Sequence, residues 1–322
     1  MQPILGIVIP CYNEQEVLHT TIKQLSEVID GLSEKGLISP ESKLYCVDDG
    51  SKDDTWTIIE SATQSNTKVN GIKLSGNCGH QNALLAGLTV AVDYCDAMVT
   101  IDADLQDDTA VIKTMVEKFH EGADIVYGVR QSRDTDTYFK KNSALMFYRM
   151  MSSLGAKTIY NHADYRLMSK RSVKKLLSFR ERNMFIRGIV PTIGYKTDVV
   201  YYDRHARMAG ESKYPLKKMV SFAIDGITSF STRPIRMIFS VGILMLLATL
   251  SIALYVLISY FGGKAWPGWT SLMLSLWFIS SLILISLGII GEYIGKIYIE
   301  VKDRPRFFIE KSIVDGKEEI NL

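Results

Sequence analysis

From Met237 to Phe261, and again from Trp266 to Gly291, the chain carries no charged residue. Each run exceeds the ~20 residues that a helix needs to cross a hydrocarbon core, and helices of soluble proteins rarely lack all charge for so long. Two membrane-spanning helices are therefore expected, at 237–261 and 268–291, with a turn around Gly262, Gly263 and Lys264 between them. Lys213, Lys217, Lys218, Arg233 and Arg236 precede the first run, and Lys296, Lys302, Arg304 and Arg306 follow the second. By the positive-inside rule both flanks face the cytoplasm. The expected localisation is the inner (plasma) membrane, multi-pass, with the N-terminal domain and both termini cytoplasmic.

The rest of the 322 residues, 47% apolar overall, can fill a sizeable core. Lys and Arg number 37 against 35 Asp and Glu, a net of +2 that excludes a generic polyanion binder and so a nucleic-acid partner. Cys11, Cys46, Cys78 and Cys95 match neither a zinc ribbon nor a CxxC pair and read as reduced core thiols. The N-terminus begins on the strand-like ILGIVIP, with no basic segment and apolar run of a signal peptide.

Before the uncharged runs, short β-branched stretches alternate with amphipathic ones. Ile4 to Pro10, Lys43 to Asp48, Gly71 to Ser75, Ala97 to Ile101 and Asp124 to Gly128 read as strands. Glu14 to Ile29, Asp53 to Thr63, Gln81 to Val92 and Thr109 to His120 read as helices. This βα alternation predicts an α/β domain over 1–214 with a mostly parallel sheet. An interfacial amphipathic helix over 215–235 follows, with Met219, Phe222, Ile227 and Phe230 at helical spacing. Residues 293–322 are expected to form a cytosolic tail, loose and polar from Glu310 onward.

Polar clusters stand at the ends of the first four strands: Cys11-Tyr12-Asn13-Glu14, Asp48-Asp49-Gly50-Ser51, Gly76-Asn77-Cys78-Gly79-His80, and Asp102 to Asp108. In open α/β sheets ligands bind at that edge. No GxGxxG follows the first strand and no GxxxxGK[ST] occurs, which disfavours a dinucleotide fold or a P-loop. The fourth cluster holds Asp102, Asp104, Asp107 and Asp108, like charges that a divalent cation makes tolerable. Asp102 and Asp104 share one side of an extended segment, and their hard oxygens suit Mg²⁺ or Mn²⁺, ions that complete their shell with phosphates and water. Asp107 and Asp108 are expected to open the next helix.

The strings VIPCYNEQE, VDDGSKDDT, GNCGHQNAL, DADLQDD and GVR, in that order, resemble the family-2 glycosyltransferases of GT-A fold. HADYRLMSK, then RHARMAGESKYPLKK, then two uncharged runs are similar to the polyisoprenyl-phosphate branch, which includes dolichol-phosphate mannose synthase and bacterial GtrB-type glucosyltransferases. The resemblance implies that Pro10, Tyr12 and Glu14 line the nucleotide pocket and that Asp49, or less readily Asp48, hydrogen-bonds the base. It further implies that Asp102 and Asp104, with Gln106 nearby, hold the metal on the diphosphate of the sugar donor, and that Asp164 works on the acceptor side as base or orienting group. His80 reads first as a structural residue at a helix start and second as a donor contact.

The acceptor so implied is a polyisoprenyl phosphate, undecaprenyl phosphate in a bacterium. With a second pKa of about 6 it is mostly a dianion at neutral pH and needs positioning more than deprotonation. Arg130, Arg207 and Lys213 are the candidates for holding it, with Arg204 behind them. The expected chemistry is inverting transfer of a hexose, from UDP-glucose first, then UDP-N-acetylglucosamine, then GDP-mannose, by a protein able to self-associate through its membrane helices. A processive synthase is disfavoured because none of the four tryptophans follows an arginine. A non-catalytic membrane scaffold of the same fold is opposed by the presence of Asp102, Asp104, Asp164, Arg207 and Lys213.

Overall fold

The computed structural model describes residues 2–130, 162–182, 185–203 and 268–320, with scattered helical positions between 238 and 254. The chain divides into two compact units. In the first, β1 (Leu5–Cys11), β2 (Lys43–Asp48), β3 (Val69–Leu74), β4 (Ala97–Thr100) and β5 (Ile125–Arg130) alternate with α1 (Leu18–Glu34), α2 (Thr55–Ser65), α3 (His80–Tyr94) and α4 (Val111–His120). There follow β6 (His162–Ser169), α5 (Lys170–Leu177), the short α6 (Ile186–Ile189), a 3₁₀ turn (Val190–Ile193) and β7 (Thr197–Tyr202). The second unit carries α7 (Trp269–Val301), after which β8 (Ile309–Val314) and β9 (Lys317–Ile320) belong again to the first.

The strands form one nine-stranded sheet in the order β7-β5-β6-β4-β1-β2-β3-β8-β9. The expected mostly parallel sheet is corrected to a mixed one: β4-β1-β2-β3 and the β5-β7 pair are parallel, whereas β6 runs antiparallel to both β4 and β5, and β8 antiparallel to β3. Every residue of β1 is buried, as a strand covered on both faces must be. Leu5, Ile7, Ile9 and Cys11, at period two, join a core with Leu18, Ile22, Leu25 and Ile29 of α1 and Ile112 and Met115 of α4. On the other face α3 comes so close that a Cβ on Gly87 would lie 2.4 Å from Val8 and 2.7 Å from Val47. Cys11, Cys46 and Cys95 are buried free thiols, while Cys78 is half-exposed in the loop after β3.

Three further expectations meet the structure differently. The tail from Glu310 is no loose segment: β8 extends the sheet at β3 and turns back as β9 through Asp315 and Gly316, both at positive φ (52° and 72°). Asp107 and Asp108 do not cap α4, which starts at Val111 without a side-chain cap; Asp108 accepts the N–H of Ala110 ahead of it, and Asp107 is engaged elsewhere. Of the two expected apolar spans, the described residues contain one helix long and apolar enough to cross a membrane, Phe278–Val301 with mean hydropathy 1.8, which overlaps the second. It continues past the expected end at Gly291. Most of the first expected span, the whole of 215–235, and the candidates Arg204, Arg207 and Lys213 lie outside the described residues.

Candidate active site

The parallel strands β1 to β4 deliver their polar ends to one edge of the sheet, and the loops there are tied to one another. Asn13, left-handed at φ 54°, donates its N–H to Ser51 Oγ (3.0 Å) and accepts from the N–H of Lys52 (2.9 Å). The N–H of Glu14 donates to Thr55 Oγ1 at 2.9 Å. These bonds join the loop after β1, with Pro10 buried and Tyr12 exposed, to the loop after β2. Asp48 is buried and accepts the N–H of Ser51; burial pushes its carboxyl up, and the bonds from Ser51 oppose that.

Asp49, also buried, reaches the third loop. Its Oδ1 accepts from Cys78 N–H at 2.7 Å and its Oδ2 from Gly79 N–H at 3.0 Å, with Cys78 Sγ 3.2 Å from Oδ1. Burial, then the Asp49 carboxylate, push the Cys78 thiol up to about 12, so it is not a nucleophile at neutral pH. That loop ends on His80, the first residue of α3, whose Nε2 stands 3.4 Å from Asp102 Oδ1 and 4.0 Å from Asp164 Oδ2.

Asp102 and Asp104 follow β4 in a loop that Thr21 of α1 pins by donating to Ala103 O at 2.7 Å. Asp104 Oδ1 accepts the N–H of the buried Gln106 at 3.3 Å, across a Leu105 held at φ 51°. A leucine there costs on the order of 1–2 kcal/mol, backbone strain of the kind that gathers at working sites. Loss of solvation pushes the Asp102 carboxyl up; His80 opposes this, while Asp164, Asp107 and Asp104 add to it.

Asp164 arrives from β6. The antiparallel register pairs Thr100 with Arg166, and its continuation brings Asp164 beside Asp102. Its carboxylate takes Arg166 Nη2 (2.6 Å) on Oδ1 and the Arg187 fork through Nε (3.1 Å) on Oδ1 and Nη2 (2.8 Å) on Oδ2. Burial alone would push this carboxyl up, but Arg187 and Arg166 outweigh it and hold it well below the usual carboxylate range. A carboxylate so held is an oriented anion and a weak proton acceptor at neutral pH. Arg166 is wholly buried, and Asp164 is its one ion-pair partner among the described residues.

Arg130, at the end of β5, lies across from Tyr202 of β7 in register, and both meet Asp107: Nη2 at 3.1 Å and the Tyr202 hydroxyl at 2.6 Å. Among the sequence candidates, then, the structure brings together His80, Asp102 and Asp164, ties Asp49 to the loop that carries His80, and gives Arg130 an anionic partner within the fold. Arg187, Arg166 and Tyr202 were not among the candidates. Arg166 shares a strand face with Asp164, two residues away, but only once β6 is known to be a strand; Arg187 had no signal, since its place depends on a short helix far along the chain.

Among the described residues no group of three His, Cys, Asp or Glu side chains converges to hold a metal ion. Asp102 and Asp104 remain two hard-oxygen donors at one strand end. That set fits an ion that draws the rest of its shell from water and substrate phosphates, as Mg²⁺ does.

A mixed α/β sheet with acidic loops beyond the carboxyl ends of its parallel strands is a fold of GT-A type. The chain belongs to glycosyl transferase family 2, whose profile matches residues 6–177, and it is a glycosyltransferase. It is 53% identical over 309 residues to the Bacillus subtilis (strain 168) protein described as "Uncharacterized glycosyltransferase YkoT", covering 96% of this chain and 92% of that one. The "SfII prophage-derived bactoprenol glucosyl transferase" of Shigella flexneri is 37% identical over 314 residues, 96% of this chain and 98% of its own length. Among solved structures, glucosyl-3-phosphoglycerate synthase from Mycobacterium tuberculosis in complex with uridine-diphosphate is similar over 71% of this chain and 79% of that chain, with 18% identity and a TM-score of 0.48.

Proposed function

We propose that this protein transfers a hexose, glucose from UDP-glucose first, to a polyisoprenyl phosphate, undecaprenyl phosphate, at the cytoplasmic leaflet of the membrane, with inversion at the anomeric carbon. The observation that carries the reading is the likeness along 96% of the chain to bactoprenol glucosyl transferases. It is supported by a site whose acidic pocket stands next to a carboxylate clamped by arginines.

In the reaction an oxygen of the lipid phosphate forms a bond to the anomeric carbon as the bond from that carbon to the nucleotide diphosphate breaks. The diphosphate leaves with the electron pair. Pro10, Tyr12, Glu14, Asp48 and Asp49 frame the nucleotide, Asp49 by fixing the loop at Cys78 and Gly79. Asp102 and Asp104, with Gln106 behind them, would hold Mg²⁺ or Mn²⁺, which when bound neutralises charge on the leaving diphosphate. Arg130, Arg207 and Lys213 hold the acceptor phosphate. Asp164 orients the acceptor side, and as the acceptor is mostly a dianion at neutral pH it needs no strong base. Two membrane helices, at 237–261 and 268–291, tether the chain to the bilayer in which the lipid resides, a reading supported for the second by the apolar stretch Phe278–Val301.

The test is transfer of labelled sugar from UDP-glucose, UDP-N-acetylglucosamine and GDP-mannose to undecaprenyl phosphate by the full chain in lipid nanodiscs with Mg²⁺ or Mn²⁺. Glucosyl lipid is the expected product. Transfer to the lipid from none of the three donors overturns the reading. Asp104→Asn should abolish turnover with the fold intact, and full activity of that variant in excess chelator would remove the metal from the scheme.

A further inference from the structure

Asp164 is gripped by two arginines that differ in origin. Arg166 lies two residues along on β6 and moves with the carboxylate's own strand. Arg187 comes from α6, and its two-point contact through Nε and Nη2 fixes the plane of the carboxylate as well as its place.

The short α6 is itself held from outside. Its first residue, Ile186, donates its N–H to Gln81 Oε1 at 3.0 Å. Gln81 is the neighbour of His80, whose Nε2 lies 3.4 Å from Asp102 and 4.0 Å from Asp164. The opening turn of α3 therefore borders the acidic pocket with one residue and docks the carrier of Arg187 with the next.

We propose that Arg187 is a positioning residue that acts through Asp164, fixing the plane of that carboxylate beside His80 and Asp102 at the acceptor side of the site, and that Gln81 sets Arg187 in place by docking α6 on the start of α3. The proposal rests on the function proposed above, because Asp164 has work on the acceptor side only if a lipid phosphate arrives there. Lysine cannot substitute, since an ammonium is a point charge without the planar fork.

The experiment uses the full chain in nanodiscs with UDP-glucose and undecaprenyl phosphate, comparing wild type with Arg187→Ala, Arg187→Lys and Gln81→Ala. Each is also made in an Asp164→Glu background, which keeps the charge and shifts the carboxylate by one methylene. Misalignment predicts a fall in kcat of about 100-fold for Arg187→Ala, with KM for donor and lipid near wild type. Arg187→Lys should recover little, and Gln81→Ala should show the same signature more weakly. In the Asp164→Glu background, where alignment is already lost, neither Arg187→Ala nor Gln81→Ala should cost much more. Losses that multiply in the double variants overturn the proposal, and so does a rise in lipid KM at unchanged kcat, which would mark Arg187 as a direct phosphate ligand. Should Arg187→Ala fail to fold, Gln81→Ala, which removes one hydrogen bond, decides by the same criteria. An inactive wild type overturns the proposed function itself; an active wild type with multiplying losses overturns only the positioning role.

Discussion

Arg166 has a buried positive charge and one described carboxylate to meet it, so Asp164 has a structural duty besides any chemical one. Asp164→Ala should cost about 3–5 kcal/mol, because removing one partner of a buried pair leaves the other uncompensated; urea unfolding of the variant measures it. The sign of the pH dependence follows from the depressed carboxyl. Its folded value lies below the unfolded one, near 3.9, so the stabilisation is fully present above about pH 4 and is lost as pH falls through the folded value. The gap between wild type and Asp164→Ala should therefore be constant near neutrality and close only in strong acid; a gap that closes between pH 5 and 7 would refute the clamp. Gly50 gives a second test at this scale. It sits at φ 65°, and a Cβ there would lie 2.6 Å from the backbone of Gly76 and Asn77. Gly50→Ala should thus push the loop held by Asp49 out of place and raise KM for the nucleotide sugar more than it lowers kcat. The acidic half of the site is legible in the sequence because Asp48 ends a recognisable strand and Asp49, Asp102 and Asp104 closely follow one. The cationic half is not, since a clamp between β6 and α6 is a contact across 23 residues that no local spacing reports.

Elements β1 to β5 and α1 to α4 follow from periodicity, with ends displaced where side chains find better partners than the pattern suggests. Asp107 shows why. A helix N-cap is worth about 1 kcal/mol, whereas Asp107 pairs with a guanidinium and a tyrosine hydroxyl at a buried position, so the helix begins later. The strand β6 escapes sequence patterning for a related reason: Asp164 and Arg166 break what would otherwise read as a buried apolar run. Its insertion between β4 and β5 is what converts the expected parallel sheet into a mixed one. Closeness of elements also has a cost in tolerance. Gly87 lets α3 approach β1 and β2, and Gly87→Ala must force Val8 and Val47 aside. Overpacking of this kind costs typically 1–3 kcal/mol. A lower melting temperature, with activity retained below it, is expected; an unchanged melting temperature would mean that α3 can shift outward freely.

At the scale of the whole chain, the second unit is inserted between β7 and β8, and the sheet is completed only after the chain has passed through α7. Residues 309–320 looked like a solvated tail because their charges outnumber their apolar residues, yet Asp315-Gly316 is a two-residue hairpin signal of the strongest type. The hairpin covers β3, which would otherwise be an open edge. Ile313 is buried against the sheet, Ser312 is buried beside it, and Lys43, Lys73 and Glu60 pair with Asp315, Glu310 and Lys311. Exposed ion pairs contribute about 0–1 kcal/mol each, so most of the stabilisation must come from ladder pairing and from Ile313, worth about 1.5–3 kcal/mol by burial. A chain ending after Phe308 keeps α7 and every candidate site residue but exposes the β3 ladder. Faster amide exchange across Val69–Leu74 and a lower melting temperature are expected, with Ile313→Ala reproducing part of the loss. Exchange at β3 that stays at the level of the full chain would show that the sheet closes without the hairpin, and that the residues after Phe308 are dispensable for the fold that carries the site.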